Sequence, residues 1–111
     1  MTRTIPAAEL IASPEGKQLL DVRRSTDFEA STEAIPGAIR QDPADVANWS
    51  RDLDRSAEVI VYCVRGGSVS NAVIDALHAQ GVAARYIEGG IEGWKAAGGI
   101  VTARDSVRSP A

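Results

Sequence analysis

The sequence predicts an α/β domain whose mainly parallel sheet is flanked by helices on both faces. Three observations predict it. The run Val59-Ile-Val-Tyr62 is rich in β-branched residues and carries no charge, as in a strand buried on both faces. Beyond a glycine-containing loop, Val69, Ala72, Val73, Ala76 and Leu77 recur at i, i+3, i+4, i+7 and i+8, an apolar helix stripe. Gly81 then ends that helix, and residues 82–87 form a further strand. Strand, helix and strand in that order imply a right-handed crossover and parallel pairing.

The elements on either side follow the same alternation. Pro6 suits a first helical turn and opens Ala-Ala-Glu-Leu-Ile-Ala, which Ser13-Pro-Glu-Gly16 closes as a turn. Residues 18–22, Gln-Leu-Leu-Asp-Val, read as a short buried strand. Ser25 is a candidate cap for a short helix holding Phe28. Ile35-Pro-Gly-Ala-Ile39 reads as a turn leading into a short extended piece. Asp42-Pro43 pairs an N-cap with proline at the first helical position, and Val46, Trp49 and Leu53 follow at helical spacing. Residues 91–97 predict a last helix, stopped by Gly98-Gly99. Residues 100–111 lack periodicity and read as a tail.

Composition narrows the function. A chain of 111 residues, 44% hydrophobic and 24% charged, is long enough and apolar enough to bury a core as one domain. Its net charge of -3 argues against a nucleic-acid partner or an anionic membrane surface. The longest strongly apolar run, from Val59 to Val64, is far too short to span a membrane, and Glu9 interrupts any leader-like segment, so a cytoplasmic location is expected. One cysteine, Cys63, excludes an intramolecular disulfide. One cysteine with one histidine, His78, leaves no Cys/His metal site, and no metal or other cofactor is expected.

Attention therefore falls on Cys63. It is the first residue past the carboxyl end of the predicted buried strand, where open parallel sheets bind ligands. Val64, Arg65, Gly66, Gly67 and Ser68 separate it from the helix. An ordinary thiol is only a few per cent thiolate at neutral pH, and the thiolate is the nucleophile. A helix N-terminus, a nearby guanidinium and inward-pointing backbone N–H groups all favour the anion. Two adjacent glycines let the backbone turn several N–H groups inward. The segment thus reads as an anion cradle with a nucleophile at its base. Set against this, an isolated strand cysteine is usually a small buried hydrophobe, and a lone arginine such as Arg65 is usually a solvated charge. The position before a glycine loop and a helix favours the catalytic reading.

Several segments together resemble a known family. They are Leu19-Leu-Asp-Val-Arg23, Asp27-Phe28, Ile35-Pro-Gly-Ala38, Val59-Ile-Val-Tyr-Cys63 with the loop to Ser68, and Glu88-Gly-Gly-Ile-Glu-Gly-Trp94 with Ala97-Gly98. In order and spacing they are similar to the single-domain rhodaneses, which are thiosulfate sulfurtransferase-like. The resemblance places the domain at residues 1–99 and leaves 100–111 as a C-terminal tail. It implies a five-stranded parallel sheet and a sulfurtransferase in which Cys63 takes a sulfane sulfur as a persulfide. It further implies that Arg65 holds the donor's sulfonate and that the backbone of Val64, Arg65, Gly66, Gly67, Ser68 and Val69 surrounds the anion. The implied partners are thiosulfate or a similar donor and an external thiol or cyanide acceptor. Asp21 and Arg23 are expected to brace the scaffold, Trp94 to pack in the core, and His78 to lie on the surface.

The chain differs from the frequent family loop C-R-x-G-x-R-S/T, having Val64 and Ser68 where arginines stand. It also lacks the C-G-S/T-G-V-T form of mercaptopyruvate enzymes, which favours thiosulfate as donor. Phosphatase-like relatives of the same topology need an arginine six residues after the cysteine, and that position holds Val69. The alternative to an enzyme is a persulfide carrier or a non-catalytic interaction module. The oligomeric state stays open at this point.

Overall fold

In the computed structural model, which describes residues 3–104, strand and helix alternate through most of the chain. Strand β1 (Thr4–Ile5) is followed by α1 (Ala7–Ala12), β2 (Lys17–Asp21), α2 (Ser25–Ala30), β3 (Glu33–Ala34) and β4 (Ile39–Arg40). Then come α3 (Val46–Trp49), β5 (Glu58–Tyr62), α4 (Ser68–Ala79), β6 (Ala84–Ile87), α5 (Gly90–Ala96) and β7 (Thr102–Ala103). Short 3-10 turns, Pro43–Asp45 and Ser50–Asp52, flank α3.

The main sheet has five strands in the order β1-β6-β5-β2-β4, and every pairing is parallel. The predicted buried run is its central strand, with Val61 opposite Leu20 on one side and Tyr86 on the other. Side chains along a strand alternate between faces, so this one strand feeds two cores. Val59 and Val61 pack with Leu20, Val73, Ile74 and Leu77 on the α4 side. Ile60 and Tyr62 pack with Ala7, Leu10, Ile87 and Ile91 on the side of α1 and α5. Each of these strand side chains is fully buried, and burial of one such aliphatic group is worth about 1.5–3 kcal/mol.

Four differences from the sequence reading have local physical reasons. Thr4–Ile5 forms an edge strand, because β6 supplies its hydrogen bonds and two residues are too few to show a period. Ser25 is not a cap. Arg24 occupies the N-cap of α2, with no side-chain hydrogen bond there, and Ser25 is already helical. The buried face of α4 is Ser70, Val73, Ile74 and Leu77, about one residue round from the predicted stripe. Val69 is only half-buried and Ala72 is exposed, so part of the apolar stripe faces away from the core. Finally, within the residues read as a tail, Thr102–Ala103 pairs antiparallel with Glu33–Ala34, and the Arg104 N–H donates to the Thr32 carbonyl at 3.0 Å. The rest of that segment, 105–111, lies outside the described residues.

The Asp42 cap is as expected: its carboxylate accepts the Ala44 N–H at 2.9 Å, with Pro43 at the start of the turn. Trp94 packs partly buried against the α1 and α5 core, and its Nε1–H donates to the Ile100 carbonyl at 2.8 Å.

Candidate active site

Cys63 stands immediately past the carboxyl end of β5 and is 5% exposed. The backbone from Val64 to Gly67 bends into α4, whose N-cap, Gly67, has no side chain with which to cap. Among the described residues, none of the backbone N–H groups from Val64 to Val69 donates a hydrogen bond to a protein acceptor. A run of free donors beside a thiol at the start of a three-turn helix is chemically suited to negative charge.

The loop is held from behind. The N–H of Ile91 donates to the Cys63 carbonyl at 3.0 Å and that of Glu92 to the Val64 carbonyl at 3.2 Å. The first turn of α5 therefore spends its own free donors on the loop's carbonyls. Such close approach requires glycine. A Cβ at Gly90, where φ is +60°, would overlap the Cys63 carbonyl oxygen and lie 2.6 Å from the Val64 carbonyl group. A Cβ at Gly66, where φ is +72°, would lie 3.1 Å from the Gly89 nitrogen and 3.2 Å from the Ile87 oxygen. Gly89-Gly90 is thus the surface against which the cysteine loop is moulded.

A pocket of about 360 Å³ opens at the loop. The structure brings Cys63, Val64, Arg65, Gly67, Ser68 and Val69 to its walls, whereas Gly66 packs on the Gly89 turn instead. Two further residues, Arg24 and Asp27, enter from α2 and its N-cap. Arg24 and Arg65 are exposed, and their side chains make no hydrogen bond or ion pair among the described residues. The walls therefore carry two unspent guanidinium groups against one carboxylate, in an acidic protein. Arg24 was missed in the sequence, and a signal for it existed: it follows the carboxyl end of β2, the neighbour of the cysteine strand, where ligand-binding loops converge.

Nothing on α2 is buried, so its placement needs another cause. The Phe28 ring lies against three guanidinium groups, with Arg40, Arg23 and Arg104 at 4.6, 5.2 and 5.5 Å from its centroid. Each such contact contributes about 0.5–2 kcal/mol. Arg23 is itself fixed, since it is 1% exposed and its Nη2 lies 2.6 Å from Asp21 Oδ2. Burial alone would lower the Arg23 pKa, but the hydrogen bonds and charge of Asp21 outweigh it and hold the guanidinium ionised. The Tyr62 hydroxyl donates to Asp21 Oδ2 at 2.9 Å and accepts the Ile35 N–H at 3.2 Å. Burial, followed by the charge of Asp21, pushes the Tyr62 hydroxyl far above the usual phenol range and keeps it a donor. This network braces the strand end on which Cys63 sits, as the sequence reading expected of Asp21 and Arg23.

His78 lies ten residues along α4 from Ser68, about 15 Å at 1.5 Å per residue, with Nε2 3.0 Å from the Ala84 carbonyl oxygen. It is not a base for Cys63.

Residues 6–97 match the family model of the rhodanese-like domain. Thiosulfate sulfurtransferase GlpE of Pseudomonas entomophila (strain L48) is 33% identical over 94 residues, 84% of each chain. The protein of the same name from Pseudomonas syringae pv. syringae (strain B728a) is 32% identical over 82 residues, 73% of this chain and 74% of that one. Among solved structures, a rhodanese-related protein from Thermoplasma volcanium superposes with a TM-score of 0.79 at 27% identity, covering 90% of this chain and 97% of that one.

Proposed function

We propose, since the chain belongs to the rhodanese-like domain family, that it is a sulfurtransferase working through a persulfide on Cys63. The observation that carries this reading is the run of unspent N–H groups from Val64 to Val69 in the loop that follows a thiol at the carboxyl end of the central strand. In the first half-reaction the Cys63 thiolate attacks the outer sulfur of thiosulfate. The new S–S bond forms on Cys63 as the old one breaks, and its electron pair leaves with sulfite. Charge is conserved, with one anion on the enzyme before and after, and the loop donors stabilise it throughout. Arg65 holds the sulfonate oxygens, for which a planar bidentate donor is suited. In the second half-reaction an external thiol or cyanide takes the sulfur, so the kinetics are ping-pong. Among the described residues no helix is long and apolar enough to cross a membrane. A thiol that must stay reduced between turnovers suits a cytoplasmic location.

The test is intact-mass measurement after incubation with thiosulfate. The expected result is a gain of one sulfur atom that Cys63→Ser abolishes and cyanide removes. A protein that gains no sulfur from any sulfane donor overturns the reading. A persulfide that forms but turns over slowly with cyanide identifies a carrier instead of an enzyme.

A further inference from the structure

The pocket at Cys63 adjoins a larger groove of about 660 Å³, the two sharing Arg24, Ser68 and Val69 among their lining residues. The groove runs from Arg24 and Ser25 to the 3-10 turn at Pro43–Asp45 and along the outer side of α4. Its sides are largely apolar, from Pro43, Ala44, Val46, Val69, Ala72 and Val73. Val69 and Ala72 are two apolar α4 residues that the domain's own core does not bury. The acidic group in this groove, Asp42, already accepts the Ala44 N–H, whereas Arg24 is unspent among the described residues. A five-atom donor such as thiosulfate needs only the smaller pocket, and a groove of 660 Å³ has the size of a site for a larger organic molecule.

We infer that this groove receives the sulfur acceptor, an organic thiol with a carboxylate near its sulfur and an uncharged body, and that Arg24 selects it. The inference rests on the persulfide reading above. The carboxylate pairs with Arg24 at the junction, which places the acceptor's sulfur in the Cys63 pocket. The body lies along Val69 and Ala72 towards Pro43. In the transfer, the acceptor thiolate attacks the outer sulfur of the Cys63 persulfide. That S–S bond breaks, its electron pair returns to Cys63 Sγ, and the acceptor leaves as its own persulfide. The acceptor's proton has gone to solvent beforehand, and no oxidant or reductant is consumed.

The experiment charges Cys63 with thiosulfate, removes the donor, and measures discharge to 3-mercaptopropionate, 2-mercaptoethanol and N-octanoylcysteine. For the unmodified protein the KM should be about tenfold lower for 3-mercaptopropionate than for neutral 2-mercaptoethanol, the ratio a charge-assisted hydrogen bond supplies. Arg24→Gln should bring that ratio close to one, and Arg24→Lys should restore part of it. Ala72→Phe, an exposed change that fills the groove, should raise the KM for N-octanoylcysteine more than that for 3-mercaptopropionate. As a readout independent of transfer, Arg24→Gln should lower the ratio of Cys63 alkylation rates with iodoacetate and iodoacetamide. A ratio of acceptor KM values that Arg24→Gln leaves unchanged overturns the inference while the persulfide reading stands. A protein that never acquires sulfur overturns both.

Discussion

The Ile91 N–H donates to the Cys63 carbonyl at 3.0 Å, tying the start of one helix to the residue that opens the loop before another. The contact makes the shape of the cysteine loop depend on a turn at Gly89-Gly90, far along the chain. Two consecutive residues there have positive φ, +76° and +60°, and a side chain at the second would collide with the loop.

Gly90→Ala is therefore expected to impair both stability and persulfide formation. The positive φ and the overlap with Cys63 and Val64 together cost on the order of 1–3 kcal/mol. Displacement of the loop should lower the rate of sulfur uptake from thiosulfate at least tenfold. Thermal unfolding and timed intact-mass measurements read the two effects. Normal uptake in a stable variant would show that the Gly90 contact does not shape the site.

Arg65→Ala tests the sulfonate contact. Arg65 is exposed and has no partner among the described residues, so its loss should leave stability within about 0.5 kcal/mol. The KM for thiosulfate should rise about tenfold, as expected for one charge-assisted hydrogen-bonding group. Steady-state kinetics with cyanide as acceptor decide it, and unchanged constants remove Arg65 from the donor site.

Tyr62→Phe strips the Ile35 N–H of its acceptor and Asp21 of one donor, all within a buried network. The expected cost is about 1–3 kcal/mol in urea unfolding at neutral pH. Its pH dependence has a definite sign. The folded protein keeps Tyr62 protonated well above the ordinary phenol value, whereas the unfolded chain releases the proton near pH 10. The unfolded state then binds fewer protons, so stability is fully present below about pH 10 and falls as pH rises beyond it. The gap between the parent protein and Tyr62→Phe should accordingly narrow above pH 10, and a constant gap would contradict it.

Ser70→Ala is expected to do the opposite of most core substitutions. Ser70 is fully buried on α4, and its hydroxyl has no partner among the described residues. Removing an unpaired buried polar atom, while placing a better helix former, should stabilise by up to about 1 kcal/mol. Thermal unfolding measures it, and a loss of stability would reveal a hydrogen bond made by that hydroxyl.

Much of the site was legible because its signals are local. A β-branched run followed by Cys63, two glycines and an amphipathic segment specifies strand, loop and helix from neighbouring residues alone. The element β1 was not legible, since its two residues become a strand only when β6 lies beside them. The rotation of the α4 face was not legible either, because apolar Val69 and Ala72 are left unburied while polar Ser70 is buried.

The sequence by itself therefore determined the α/β class, the buried strand before Cys63, the position of the only thiol and the glycine loop that follows it. Only the tertiary structure decided what surrounds that thiol. The sheet order β1-β6-β5-β2-β4 puts the carboxyl end of β2 beside that of β5, which brings Arg24 and Asp27 to the Cys63 pocket. The same order sets the turn after β6 on the other side, which brings Gly90 and Ile91 against the loop. Periodicity and turn chemistry act between near neighbours along the chain, whereas these meetings depend on which strands pair, a property of the assembled sheet.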